Sequence, residues 1–104
     1  MSLQMKLYVL VRKNLSPSQQ AVQAGHAVAE FTHKYPDSLW NRGTLVYLGV
    51  EDEGELNAWL MRFQDLEGLE LAVYREEYFK QSLTAVAVVG EDEVKTAVRS
   101  LKLI

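Results

Sequence analysis

Apolar residues in this chain occur in short runs, separated by longer segments in which they repeat at helical spacing. Continuous or partly alternating apolar runs predict four β-strands, over residues 6–12, 43–50, 69–75 and 83–89. Repeats at three-and-four spacing predict three helices, over residues 16–35, 51–66 and 91–100. Residues 76–82 are predicted to form a polar loop, and residues 102–104 a tail docked on the domain.

This order of elements, β-α-β-α-β-β-α, predicts an α/β fold with helices on both sides of a four-stranded sheet. The third and fourth strands are joined by a short loop without a helix, so this pair can be antiparallel. The expected architecture is therefore a single-domain, three-layer α-β-α sandwich with a mixed sheet.

The first helix has clear ends in the sequence. Ser16 suits the N-cap position, Pro17 suits the first helical position, and Pro36 disfavours helix beyond Tyr35. The spacing places small and apolar residues on one face, which we expect to pack on the sheet: Ala21, Ala24, Gly25, Val28, Phe31, Thr32 and Tyr35.

A polar stripe on this helix carries the candidate chemistry. It contains both histidines of the chain, and its members are Gln19, Gln23, His26, Glu30 and His33. His26 suits a general base near neutral pH, or a structural histidine bonded to a neighbour. Gln23, one turn earlier, can orient the imidazole, bind substrate or contact a loop. Glu30 and His33 form a Glu-x-x-His unit as in di-iron bundles, but no second such unit exists, so no metal site is predicted.

Length and composition restrict the function classes. The 104 residues suffice for one domain, predicted over residues 5–104, with residues 1–4 a disordered or cloning-derived N-terminus. The absence of Cys excludes disulfides and thiolate chemistry. No apolar run approaches the roughly 18 residues of a membrane span, and no signal-peptide pattern precedes the first strand. These features predict a cytoplasmic protein without membrane association.

The net charge of −3 is unevenly distributed. Residues 1–48 hold five Lys/Arg against two Asp/Glu, whereas residues 49–104 hold six against twelve. Proteins that bind nucleic acid by neutralising phosphates are usually more basic than this. The first half can still form a basic face, or carry scattered solubilising charges, on Lys6, Arg12, Lys13, Lys34 and Arg42.

Aromatic residues such as Trp40, Trp59, Tyr74 and Phe79 can stack on bases, but core packing explains most of them better.

The segment from Gln23 to Ala27 resembles the Gln-x-x-His-Ala signature on the first helix of the type II peptidyl-tRNA hydrolases. Other segments match that family in order and cover nearly the whole chain: a first strand ending in Arg12, Trp40-x-x-Gly43, the acidic helix start at 51–56, the strand ending in Gly90, and the tail Leu101-Lys102-Leu103-Ile104.

This resemblance implies a four-stranded mixed sheet between helical layers, and hydrolysis of the ester bond that joins peptide to tRNA. Water would be the nucleophile, with His26 as its base or as the group that positions it. Gln23 and Thr84 would orient the substrate. The resemblance also implies tRNA or peptidyl-tRNA as partner, a possible homodimer and no cofactor.

The chain departs from the family at two catalytic positions. The family's Lys, four residues before the signature Gln, is Gln19 here, in a position to contact substrate. The family's Asp-Ala-Gly-x-Thr loop is replaced by residues 75–81, in which Glu76 is the best substitute for the Asp. Positive charge for phosphates or a developing oxyanion would then come from other residues, namely Arg12, Lys13, Arg75 and Lys80.

Two alternatives follow from these departures. A non-catalytic domain of the same fold, binding a protein or an RNA, is favoured by the missing Lys and Asp and by the acidic second half. A metal-dependent hydrolase would require Glu30 and His33 to meet a third ligand.

Overall fold

The computed structural model describes residues 5–41 and 43–104. The prediction for residues 1–4 therefore lies outside the described residues, as does the contribution of Arg42 to a basic face. Among the described residues, no helix is both long enough and apolar enough to cross a membrane.

The described residues form five strands and three α-helices. In chain order they are β1 (Lys6–Arg12), α1 (Pro17–Lys34), β2 (Thr44–Val50), α2 (Glu53–Gln64), β3 (Glu70–Glu76), a 3-10 turn (Glu77–Phe79), β4 (Ser82–Val89), α3 (Asp92–Val98) and β5 (Lys102–Leu103). The first strand is confirmed at both ends, and the other predicted strands and helices begin and end within a few residues of the expected positions.

The strands form one mixed sheet in the order β3-β4-β1-β2-β5. β1 and β2 are parallel, whereas β4 is antiparallel to both β1 and β3, as expected for the pair joined by a short loop. The prediction of four strands is wrong, because the C-terminal tail pairs with β2 as a fifth strand. Two residues are too few to show a strand periodicity in the sequence, so only the tail's docking was predictable.

Helices cover both faces of this sheet. Alternate residues of β1 point to opposite faces: Leu7, Val9 and Val11 pack with α1, and Tyr8 and Leu10 pack with α2 and α3. This two-sided burial explains why the strand is a nearly continuous apolar run. The result is a small α/β domain with α1 on one face of an open sheet and two helices on the other.

Capping residues fix the ends of α1 as predicted. The Ser16 hydroxyl accepts a hydrogen bond from the Gln19 N–H at 3.2 Å, and Pro17 occupies the first turn. At the other end the Tyr35 N–H donates to the Phe31 carbonyl at 2.8 Å. The helix therefore begins and ends where its capping residues require.

The predicted inward face of α1 is only partly right. Ala24 and Phe31 are buried, but Ala21, Gly25 and Thr32 are exposed. The helix is rotated so that Gln23 and Ala27 face the sheet instead, both fully buried. Burial of an amide is unfavourable without hydrogen-bond partners, and the sheet supplies them for Gln23.

The outer edge of β3 is covered by side chains from the end of α1. The Tyr35 hydroxyl accepts from the Leu71 N–H at 3.1 Å and lies 3.2 Å from the Leu71 carbonyl. Lys34 Nζ donates to the same carbonyl at 2.8 Å. These contacts satisfy backbone groups that an edge strand otherwise leaves open to another chain.

Phe31 is expected to be one of the residues on which stability depends most. It is fully buried and meets the Trp40 ring edge-on at 5.7 Å between centroids. Phe31→Ala should lower the free energy of unfolding by about 3–5 kcal/mol, because it leaves a cavity between α1 and the sheet. Urea denaturation measures this loss. Leu39→Ala is the control, since Leu39 is 83% exposed and its truncation should change stability by less than about 0.5 kcal/mol. Similar losses in both variants would contradict this account of the core.

Candidate functional site

Four of the predicted site residues meet in one hydrogen-bond network, and three of the four are buried. Gln23 Nε2 of α1 donates to Glu76 Oε1 of β3 at 2.9 Å, and Thr84 Oγ1 of β4 donates to Gln23 Oε1 at 2.7 Å. Gln23 and Thr84 are fully buried, and Glu76 is 8% exposed. We call Gln19, Gln23, Glu76 and Thr84 the Gln23 network.

Gln19 completes the network from one helical turn earlier. Gln23 Nε2 also donates to Gln19 Oε1, at 3.2 Å, so the amide nitrogen of Gln23 uses both its hydrogens within the protein. At the position where the resemblance implies a Lys, Gln19 supplies an uncharged hydrogen-bond acceptor.

Gln23 and Thr84 are fully buried and bonded to each other, and Gln23 donates to Glu76, so these two side chains hold Glu76 in position rather than reach towards solvent.

A β-bulge turns Thr84 towards α1. In the pairing of β3 with β4, Tyr74 lies opposite Ala85 and Arg75 opposite Leu83, so Thr84 is an extra residue between the two pairs. Leu83 packs on the α2 side of the sheet and Ala85 on the α1 side. The bulge allows Thr84 to lie on the α1 side as well, next to Gln23. Bulges of this kind often redirect a side chain beside a functional site.

Glu76 is held in its ionised form. The hydrogen bond from Gln23 lowers the pKa of the Glu76 carboxyl group, and burial opposes this effect. The backbone N–H groups of Tyr78 and Glu77 and the charge of His26 lower the pKa further. The net shift is downward. At neutral pH Glu76 is therefore a fixed negative charge and a hydrogen-bond acceptor.

His26 lies beside the network and is held by stacking. Its ring is nearly parallel to that of Tyr74, with centroids 4.3 Å apart and an angle of 9° between the planes. Its side chain is half-buried. Within residues 5–41 and 43–104, neither ring nitrogen of His26 forms a hydrogen bond, so both can bind water or a substrate.

Arg12 and Lys13 lie at the end of β1 and already contact protein groups. Arg12 Nη1 lies 3.3 Å from both Ser82 Oγ and the Leu83 carbonyl, and Arg12 Nε donates to Asn14 Oδ1 at 3.0 Å. Lys13 Nζ pairs with Glu51 at 2.9 Å, and this contact raises the pKa of Lys13. Of these two residues, Arg12 contacts Ser82 and Leu83 at the start of β4, next to Thr84 of the Gln23 network.

Arg75 and Lys80 are both exposed. Arg75 pairs with Leu83, and paired residues of antiparallel strands share a face, so Arg75 lies on the α2 side, away from Gln23. Lys80 follows the 3-10 turn with a left-handed backbone, φ 54°, and Gln81 has φ 63°. The structure therefore brings Glu76 to the network but not Arg75.

The metal-dependent alternative gains no support from the geometry. Glu30 and His33 are exposed on α1. In the part of the chain that the structure describes, no three His, Asp or Glu side chains are placed to share a metal ion.

A cavity among the described residues lies elsewhere. It measures about 710 Å³ and is lined by the loops at the opposite end of the sheet, including Asp37, Leu39, Gly68, Leu69, Gly90 and Glu91. None of the predicted site residues lines it.

Sequence reasoning did not find the contact between Tyr74 and His26. The two residues are 48 positions apart on different elements, and the helical spacing that identified the polar stripe carries no information about the strand beneath it. The sequence offered base stacking or core packing for Tyr74, and neither interpretation named His26 as the partner of its ring.

No model of a known protein family matches this chain, and no curated protein is significantly similar to it. What the fold and site define is a small α/β domain with a polar network between α1 and the β3–β4 pair. The resemblance to type II peptidyl-tRNA hydrolases stays a prediction.

Thr84 is expected to stabilise the protein through its hydroxyl group. Thr84→Val keeps the shape but leaves Gln23 Oε1 without its donor in a buried place, so it should cost about 1–3 kcal/mol in the free energy of unfolding. Thr84→Ser keeps the hydroxyl and should lose less than Thr84→Val. Urea denaturation of both variants tests this order. A Thr84→Val protein as stable as the wild type would show that the hydrogen bond contributes nothing.

Glu76 should make stability depend on pH. Because its pKa is lower in the folded state, its contribution is present above the ordinary carboxyl pKa of about 4.3, and is lost as pH falls through the lower folded value. The difference in unfolding free energy between the wild type and Glu76→Gln should therefore be larger at about pH 7 than at about pH 3. Denaturation at both pH values measures it. Glu77→Gln, at an exposed neighbour, is the control, and a difference that does not change with pH would contradict the assignment.

Proposed function

We propose that the protein hydrolyses the ester bond between peptide and tRNA in peptidyl-tRNA. The observation that carries the proposal is the placement of His26 beside the buried anionic Glu76. Neither ring nitrogen of His26 is hydrogen-bonded to a described residue, and its ring stacks on Tyr74. The site lies where β1 and β3 end and β4 begins. In open α/β sheets ligands commonly bind beyond the carboxyl ends of the parallel strands, and β1 is one of them.

In the proposed reaction, His26 removes a proton from water as the water oxygen attacks the ester carbonyl carbon. The bond between that carbon and the ribose oxygen then breaks, and the imidazolium returns the proton to the ribose oxygen. The products are a peptide with a free carboxyl group and a free tRNA. Glu76 stabilises the imidazolium by its negative charge, while Gln23 and Thr84 keep Glu76 in place.

Contact with the nucleic acid falls to the basic residues around the site. Arg12 uses Nε and Nη1 in described contacts, which leaves Nη2 to bind a phosphate oxygen. Lys80, exposed on the loop that follows Glu76, would contact the backbone further out. Lys13 is paired with Glu51 and Arg75 lies on the α2 side, so neither is part of this contact. Gln19 is half-buried on α1, one turn before Gln23, and from this position it would contact the substrate. No cofactor takes part in this proposal, and a homodimer stays a prediction.

The second candidate is a non-catalytic domain that binds RNA or protein. The neutral Gln19, which stands at the position of the family's Lys and accepts a hydrogen bond from Gln23, favours it. Without a cation beside the ester, the developing negative charge on the carbonyl oxygen would have less stabilisation.

The test is release of free tRNA from an N-blocked aminoacyl-tRNA. His26→Ala should reduce kcat/KM about 10²–10⁴-fold, because it removes the general base. His33→Ala is the matched control, since His33 is the only other histidine, lies on the same helix and is exposed. It should keep the wild-type rate.

Equal rates in the two variants would mean that His26 is not the base. A wild-type protein that binds tRNA in fluorescence anisotropy but releases none would support the binding domain instead.

A further inference from the structure

Catalytic histidines are usually oriented by a hydrogen bond at the ring nitrogen that does not react, donated to a carboxylate or a backbone carbonyl. His26 has no such bond to any described residue. The Tyr74 ring lies parallel to it, with the ring centroids 4.3 Å apart. Among the described residues, the stack with Tyr74 is therefore the contact that can set the plane of this imidazole.

We propose that Tyr74 is the positioning residue of His26, fixing the plane of the imidazole by stacking so that a ring nitrogen faces the bound ester. Its effect on the rate rests on the proposed function, whereas the stacking itself does not. Tyr74 touches neither water nor substrate in this role and acts only through His26.

The strand beneath gives Tyr74 a fixed position. It lies in β3 opposite Ala85, immediately beside the bulge that carries Thr84. Its carbonyl oxygen is 3.3 Å from Thr84 Oγ1. The same local backbone geometry therefore places the Thr84 hydroxyl under Gln23 and the Tyr74 ring under His26. Both parts of the site share one anchor in the sheet.

The chemistry of the Tyr74 ring suits this role. Burial raises the pKa of its hydroxyl group, and the negative charges of Glu76, Glu30 and Glu77 raise it further. The phenol therefore stays neutral over the range in which His26 would work. Stacking between aromatic rings favours one ring orientation by up to about tenfold. Unlike a hydrogen bond, it fixes the plane without selecting a tautomer.

The experiment compares Tyr74→Leu, which removes the ring, with Tyr74→Phe, which keeps it. Proton NMR of the two histidine rings is the first readout, because a stacked aromatic ring shifts the imidazole C–H resonances upfield. In Tyr74→Leu the His26 resonances should move downfield, whereas in Tyr74→Phe they should stay near the wild-type position. His33, exposed and 7 residues further along the same helix, is the internal reference and should not move.

Steady-state hydrolysis of N-blocked aminoacyl-tRNA is the second readout. Tyr74→Leu should lower kcat about tenfold, in line with the orientation that the stack favours, and leave KM unchanged. Tyr74→Phe should restore most of the lost rate. Urea denaturation of both variants verifies that they are folded.

Each outcome decides a separate point. His26 resonances unchanged in folded Tyr74→Leu would overturn the proposal outright, as would a shifted spectrum with an unchanged kcat. A wild-type protein without activity, in which Tyr74→Leu still shifts the His26 resonances, would overturn the proposed function and the catalytic role of Tyr74 while confirming that the two rings are stacked.

Discussion

The buried amide of Gln23 is the constraint around which this domain is arranged. A fully buried amide destabilises a fold unless its donors and acceptor are satisfied, and here the partners come from α1 itself, β3 and β4. These partners allow α1 to lie with Gln23 facing the sheet, because an amide without them would oppose its own burial. The amide also ties the end of β3 to the start of β4. The orientation of α1, the end of β3 and the start of β4 are thus linked through one hydrogen-bonded side chain.

The charge balance around this amide separates the two roles of the site. Glu76 is an acceptor of several N–H groups and stays ionised, so it is suited to stabilising a cation rather than to moving a proton. His26 stacks on Tyr74 and forms no hydrogen bond to the described residues, and in the proposed reaction it is the group that moves the proton. Positive charge is held at a distance by pairing, as for Lys13 with Glu51, or by the strand register, as for Arg75. In the proposed reaction, the charges near the site would therefore stabilise an imidazolium better than an oxyanion.

Much of the architecture could be predicted from the sequence. Strand β1 could be predicted from its apolar run, because a strand buried on both faces is apolar at nearly every position. The start of α1 could be predicted from Ser16 and Pro17, because a helix cap depends on few residues. The spacing also placed Gln23 and His26 on one stripe of α1. Features that depend on pairing between distant segments could not be predicted this way. The bulge at Thr84 reverses the direction expected from simple alternation, and β5 is defined only by its partner β2.

The C-terminal strand has a practical consequence for handling this protein. The Ile104 N–H donates to the Tyr47 carbonyl at 3.2 Å, and β5 runs antiparallel to β2. A peptide tag fused after Ile104 would therefore be directed along β2 past Val46 towards Leu45, which is 43% exposed. Such a tag can lengthen the edge strand and alter self-association in preparations made with it. Cleaving a C-terminal tag before any study of oligomeric state removes that artefact.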